Sequence, residues 1–173
     1  QGNPALIQQL VDNIKYLQPD AAAHQQEHAI EVELPLLHHF APESSVVGVA
    51  IGSGNFDACM SFAQGLAKVL RENEGQILLL VSSDMNHFAS DAETRRLDKI
   101  ALEAIATLDP KHVFPTVRKH EISMCGLLPA VVTLSALQEI QPLTVARQVG
   151  YATSTDVTND PSRAVGYAGI LFR

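Results

Sequence analysis

The sequence predicts an α/β domain, three-layer α/β/α, built on a mixed, mainly parallel sheet with an antiparallel C-terminal strand pair. Three observations carry this. Short runs rich in Val, Ile and Leu, "SVVGVAIG" (45–52) and "QILLLVSS" (76–83), alternate with stretches of helical periodicity, the signature of parallel crossovers. The last two β-rich runs, 142–154 and 164–172, are separated only by a polar loop, which favours antiparallel pairing. Of the 173 residues 46% are hydrophobic and 18% charged, enough apolar material for one well-filled core.

Asn3-Pro4 is a helix start, a capping residue followed by proline at the first helical position. Leu6, Ile7, Leu10, Val11, Ile14 and Leu17 then recur at helical spacing, and the helix should stop before Pro19. A second helix is expected from Glu27, with Pro35 kinking it or starting a new turn. Residues 56–73 return to helical periodicity, and Gly75 ends that helix. Ser90-Asp91-Ala92-Glu93 is a capping-box pattern opening a helix to about Leu108. Asp109-Pro110 breaks it, a short helix follows to His120, and residues 125–140 read as a buried helix.

The formal net charge of -7, with no Lys/Arg run, excludes the clustered basic surface that nucleic acid requires. No apolar run approaches the roughly 20 residues of a membrane-spanning helix, and no signal segment opens the chain. Two cysteines, Cys59 and Cys125, are too few for a disulfide scaffold and read as reduced thiols of a cytoplasmic protein. There is no Gly-rich phosphate loop, no G-x-S-x-G elbow and no CxxC pair.

Chemistry concentrates in four places. In "VSSDMNHF" a buried strand empties into Ser83, Asp84 and His87, where open α/β sheets bind ligands. A carboxylate beside an imidazole fixes its tautomer; the plainer reading is that these residues turn the chain. "HQQEHAIEVE" holds His24 and His28 at i, i+4, a weak metal pattern more simply explained as a solvated helix face. His38-His39 read as structural. "ISMCGLLP" sets Cys125 at a helix N-terminus, which favours thiolate, the nucleophilic and metal-binding form; burial as a small apolar residue is the alternative, and the simplest reading of Cys59. "YATSTDV", from Tyr151, leaves a strand for a polar loop that would line the same crevice.

"EHAIEVELPLL", "VSSDMNHF", "ISMCGLLP" and "YATSTDV…AVGYAG" occur in the order seen in the Memo family, whose bacterial members are called AmmeMemoRadiSam system protein B. The family resembles class III extradiol (LigB-like) dioxygenases, non-haem iron enzymes of layered α/β fold. The resemblance implies that Cys125 joins two histidines as a metal ligand, with iron or copper in the intact protein. It implies that Asp84, His87, Ser83 and Tyr151 line the pocket, and that His28, preceded by Glu27, acts as acid/base. The family's two metal histidines sit in segments absent here. The chain, which opens Gln1-Gly2 without Met, is therefore expected to be one domain (1–173) from the C-terminal part of a longer protein. Its metal site is expected to be incomplete and empty, and an exposed sheet edge is expected to promote homo-oligomers.

The resemblance implies a metal-dependent oxidoreductase. A second reading is a non-catalytic adaptor that binds a peptide or small molecule and works with radical SAM and AMMECR-type proteins. A third is a zinc-type hydrolase using His28, Asp84, His87 and Cys125.

Overall fold

The computed structural model describes residues 2–173, which divide into two compact units, one ending at Ser82 and the other running Ser83–Arg173.

In the first unit α1 (Pro4–Asn13) starts as its sequence demands: the Asn3 side chain accepts from the Leu6 amide at 3.1 Å, and Pro4 takes the first turn. It ends earlier than its apolar spacing suggests, at Asn13, with Tyr16 at φ 69° turning the chain. Leu10 and Ile14 pack with α3 (Phe56–Glu72), which buries Cys59, Ala63, Leu66, Ala67, Val69 and Leu70. Gly65 permits this close crossing, because a Cβ there would overlap the Asn13 carbonyl oxygen. Between them a single 3-10 turn (Glu31–Glu33) leads into α2 (Leu34–Phe40); Pro35 opens α2 rather than kinking it.

The segments 46–52 and 77–82 carry no regular secondary structure and have no ladder partner among the described residues. Their composition favours extended backbone, but a strand exists only when a neighbour takes its N–H and C=O groups. Leu78 is 86% exposed and Leu80 56%, so these two alternate side chains of the later segment face solvent. The mixed helix-and-strand class holds, whereas no parallel pair is formed among the described residues.

The second unit holds the sheet. β1 (His87–Ala89), β2 (Ala146–Thr153) and β3 (Ala164–Phe172) are ordered β1-β3-β2, all antiparallel. The expected C-terminal pair is present, from Ala146 opposite Phe172 to Thr153 opposite Gly166. Strand β1 departs from the sequence expectation, which places Asp84 and His87 in a strand-to-helix loop: His87 pairs with Val165.

Helices α4 (Asp91–Ala106), α5 (Pro110–Lys119) and α6 (Leu127–Ile140) pack in sequence, with α4 also against the strands. Ser90 caps α4 by accepting from the Glu93 amide, but Glu93 turns to Arg96, so only half of the capping box forms. Asp109 caps α5 through the Lys111 amide. The stop of α5 prepares the site. Glu121, at φ 52°, donates its amide to Arg118, and the Ile122 amide returns to Val117, a Schellman closure with Ile122 buried. The chain leaves that reversal directly into Ser123-Met124-Cys125. α6 buries nearly every residue from Leu127 to Ala136, so it is apolar all round rather than on one stripe. Among the described residues no helix is long and apolar enough to cross a membrane.

Candidate functional site

The second unit brings together two of the polar stretches. Cys125 is exposed just ahead of α6, whose N-cap Gly126 has no side chain to offer. Ser83 supplies the missing group: its Oγ accepts from the Gly126 amide at 2.8 Å and donates to the Asp84 carbonyl at 2.6 Å. The same Oγ lies 3.7 Å from Cys125 Sγ. The Asp84 amide donates to that sulfur at 3.3 Å. The thiol is thus held in one position by groups 41 and 42 residues away.

His87 is fixed at both ring nitrogens. Nδ1 lies 2.7 Å from the Ser123 carbonyl, which can only accept, so Nδ1 carries the proton. Nε2 lies 3.2 Å from Asp84 Oδ2. Asp84 Oδ2 therefore faces the second nitrogen, a contact in which either the ring or the acid can supply the hydrogen. The Asp84 carboxylate is 44% exposed and the His87 side chain 17%, so the pair opens to solvent on the acid's side. Phe88, next in β1, adopts φ 62° at the register shift of the strand. A bulky residue in that region costs roughly 1–3 kcal/mol and persists only where the surroundings over-determine it. Arg163 stacks over its ring at 4.2 Å.

A buried layer supports this surface. Asn86 is 3% exposed; its Oδ1 accepts from the Ser123 amide at 3.3 Å and from Ser123 Oγ at 3.2 Å. The Ser123 hydroxyl in turn accepts from the His87 amide at 2.7 Å. The Asn86 amide donates to Asp98 Oδ1 at 2.7 Å, and Tyr151 OH donates to Asp98 Oδ2 at 2.7 Å. Burial pushes the Asp98 carboxyl above its ordinary range, with the Asn86 and Tyr151 bonds pulling back. Burial, then the Asp98 bond, pushes the Tyr151 phenol far up, so it is a donor at any ordinary pH. Beside this layer Arg95 bridges Asp91 and Asp156 at 2.8 and 2.7 Å and donates to Thr153, fixing the turn after β2.

Of the residues singled out from sequence, Ser83, Asp84, His87 and Cys125 come together. The Tyr151 hydroxyl donates to Asp98, and among the described residues no hydrogen bond joins it to these four side chains. Glu27 and His28 belong to the first unit. The Glu27 carboxylate accepts from the Ile30 amide at 3.1 and 3.2 Å, a local cap, and His28 is exposed, its carbonyl accepting from Val32. Sequence reasoning missed Asn86, Asp98, Ser123 and Gly166. Asp98 had a signal: it shares a helical stripe with Thr94, Ala101 and Ile105, and an acid within a buried stripe is rarely accidental.

Among the described residues no three His, Cys, Asp or Glu side chains converge as a metal site. Cys125 Sγ is one soft donor without a second beside it, and both nitrogens of His87 already face oxygen atoms. The described residues therefore do not by themselves fit a complete metal centre.

A family model described as "Memo-like protein" matches residues 3–171. A MEMO1 family protein of Archaeoglobus fulgidus is 34% identical over 155 residues, covering 90% of this chain and 58% of that protein. One from Aquifex aeolicus is 32% identical over 158 residues, covering 91% and 58%. One from Methanococcus maripaludis is 31% identical over 161 residues, covering 91% and 56%. The chain thus spans less than three fifths of the length of these curated relatives. It belongs to the Memo-like protein family.

Proposed function

We propose that Cys125, Asp84 and His87 form one wall of a metal-dependent redox site of the kind found in non-haem metal dioxygenases, acting on a small molecule in the cytoplasm. The observation that supports this is the fixed, solvent-facing thiol: a backbone amide is aimed at its sulfur, and the residue providing that amide also pairs with His87. Cys125 is the proposed thiolate ligand, and thiolate softness favours copper(I) or a thiolate-bound iron. The remaining ligands come from outside this cluster. Asp84 and His87 are the proposed pair that passes a proton between Oδ2 and Nε2, where a reacting group beside the partly exposed acid can exchange it. His28, with Glu27, is the proposed acid/base of the intact protein. The same reading takes segments 45–52 and 76–83 as strands of a mixed, mainly parallel sheet in a three-layer fold, which their Val, Ile and Leu content supports.

A second reading, a binding module for a peptide or a partner protein, is supported by the exposed apolar side chains Phe40, Leu78 and Leu80. The two separate in one experiment on the full-length protein. Metal content and metal-dependent oxygen consumption are measured for wild type, His28→Ala and Cys125→Ala. Loss of metal in Cys125→Ala and of turnover in His28→Ala is expected. Unchanged metal and turnover in both variants would overturn the redox reading in favour of the binding module.

A further inference from the structure

We infer that Asp98, a buried acid on α4 that bonds to neither His87 nor Cys125, is the positioning residue that holds His87 in its proton-carrying pose. This rests on the Asp84–His87–Cys125 reading of the site. Asp98 is fully buried, 0% exposed, and an acid in such a place needs donors for both oxygens. It has them, and they come from opposite directions. Oδ1 takes the Asn86 amide and Oδ2 the Tyr151 hydroxyl, tying the segment before β1 to the middle of β2.

The consequence runs outward from the buried acid. With its backbone amide held by Asp98 and its side-chain Nδ2 donating to Thr94 Oγ1 at 3.4 Å, Asn86 turns its Oδ1 to gather both the amide and the hydroxyl of Ser123. Ser123 is thereby placed to give His87 two contacts, a hydroxyl for its amide and a carbonyl for Nδ1–H. Backbone pairing guards the same register: the Met85 amide donates to the Gly166 carbonyl, and the Gly166 amide to the Asn86 carbonyl. Gly166 is glycine for a visible reason, since a Cβ there would fall inside the Asp98 carboxylate. A bare packing role would not need an acid at this point, nor a strand opened by glycine to admit it.

The test reads His87 directly. In protein labelled with nitrogen-15 at histidine, the Nδ1–H bonded to the Ser123 carbonyl should give a signal that exchanges slowly with water. In Asp98→Ala the exchange should quicken at least tenfold. In Asp98→Asn it should stay slow, because the amide oxygen can still accept from Asn86. Val113→Ala, which opens a cavity in α5 and lowers the melting temperature, should leave the signal unchanged. An unchanged rate in Asp98→Ala, fast exchange in Asp98→Asn, or equal quickening in Val113→Ala would each overturn the inference. If Asp98→Ala does not fold, Tyr151→Phe carries the test, with exchange expected to quicken severalfold and an unchanged rate counting against it. None of these readouts depends on metal or turnover, so failure here is distinct from failure of the redox reading.

Discussion

Two histidine-bearing stretches, 24–28 and 84–87, carry the same kinds of side chain and are held in opposite ways. In the first, Glu27 caps its own turn through Ile30, and His24 and His28 are exposed; its side-chain hydrogen bonds close within three residues. In the second, each group is held from far along the chain. Ser83 and Asp84 meet Cys125, His87 meets Ser123, and Asn86 meets Asp98. A local cap sets the path of the backbone but leaves the side chains free. Long-range bonds on several sides leave a side chain one orientation, which is what chemistry at a fixed point requires.

The sharpest way to break this contrast is Gly166→Ala. The added methyl meets the Asp98 carboxylate, which cannot retreat from its two donors, so a loss of about 3 kcal/mol is expected from overpacking. Denaturant midpoints measure it. A smaller effect follows from Asn86→Ala, which takes the acceptor from the part-buried Ser123 contacts at a cost of about 1 kcal/mol. Glu27→Ala in the other stretch should cost about 1 kcal/mol or less, as removal of a cap does. His28→Ala should fall within about 0.5 kcal/mol of wild type, the range for exposed positions.

Acid titration sharpens the comparison further. Asp91 is held below the usual carboxylate range first by Arg95 and then by Thr153; Asp156 is held there first by the Thr153 amide, then by Arg95. Depressed acids stabilise the fold above their ordinary value of 3.8, and that contribution is lost as pH falls through their lower folded values. Arg95→Gln should therefore flatten the loss of stability below about pH 4, where protonation of these acids sets in. Asp98 has the opposite sign. Its raised folded value means its contribution is full below 3.8 and is lost as pH rises through the folded value. Asp98→Asn should accordingly gain on wild type as pH climbs from 4 toward neutrality. A constant difference across that range would show that Asp98 binds its proton no more tightly when folded.

Thiol reactivity gives the smallest but cleanest contrast. Cys125 is exposed and should react with a disulfide reagent in the native protein, whereas Cys59, 3% exposed in α3, should react only on unfolding.

Much of this was legible in the residues. Asn3-Pro4 and Ser90 fix helix starts because caps act within one turn, and Asp109-Pro110 marks the break between α4 and α5. Periodicity set α3 and α6, and the paired runs at the C-terminus set β2 and β3. Cys125 and "SSDMNH" stood out because they bear reactive groups at element ends. Asn86 and Ser123 did not stand out, because an amide and a hydroxyl in a loop acquire meaning only from what they face.

By itself, then, the sequence determined where helices begin, which faces are apolar, and that a thiol stands before α6, since these follow from neighbours within a few positions. Only the tertiary structure decided that Ser83 and Asp84 meet that thiol, that "NHF" pairs with β3, and that segments 46–52 and 77–82 go unpaired among the described residues. Those outcomes depend on partners tens of residues away. Local propensity is indifferent to such partners, and only packing and the need to satisfy buried polar groups select them.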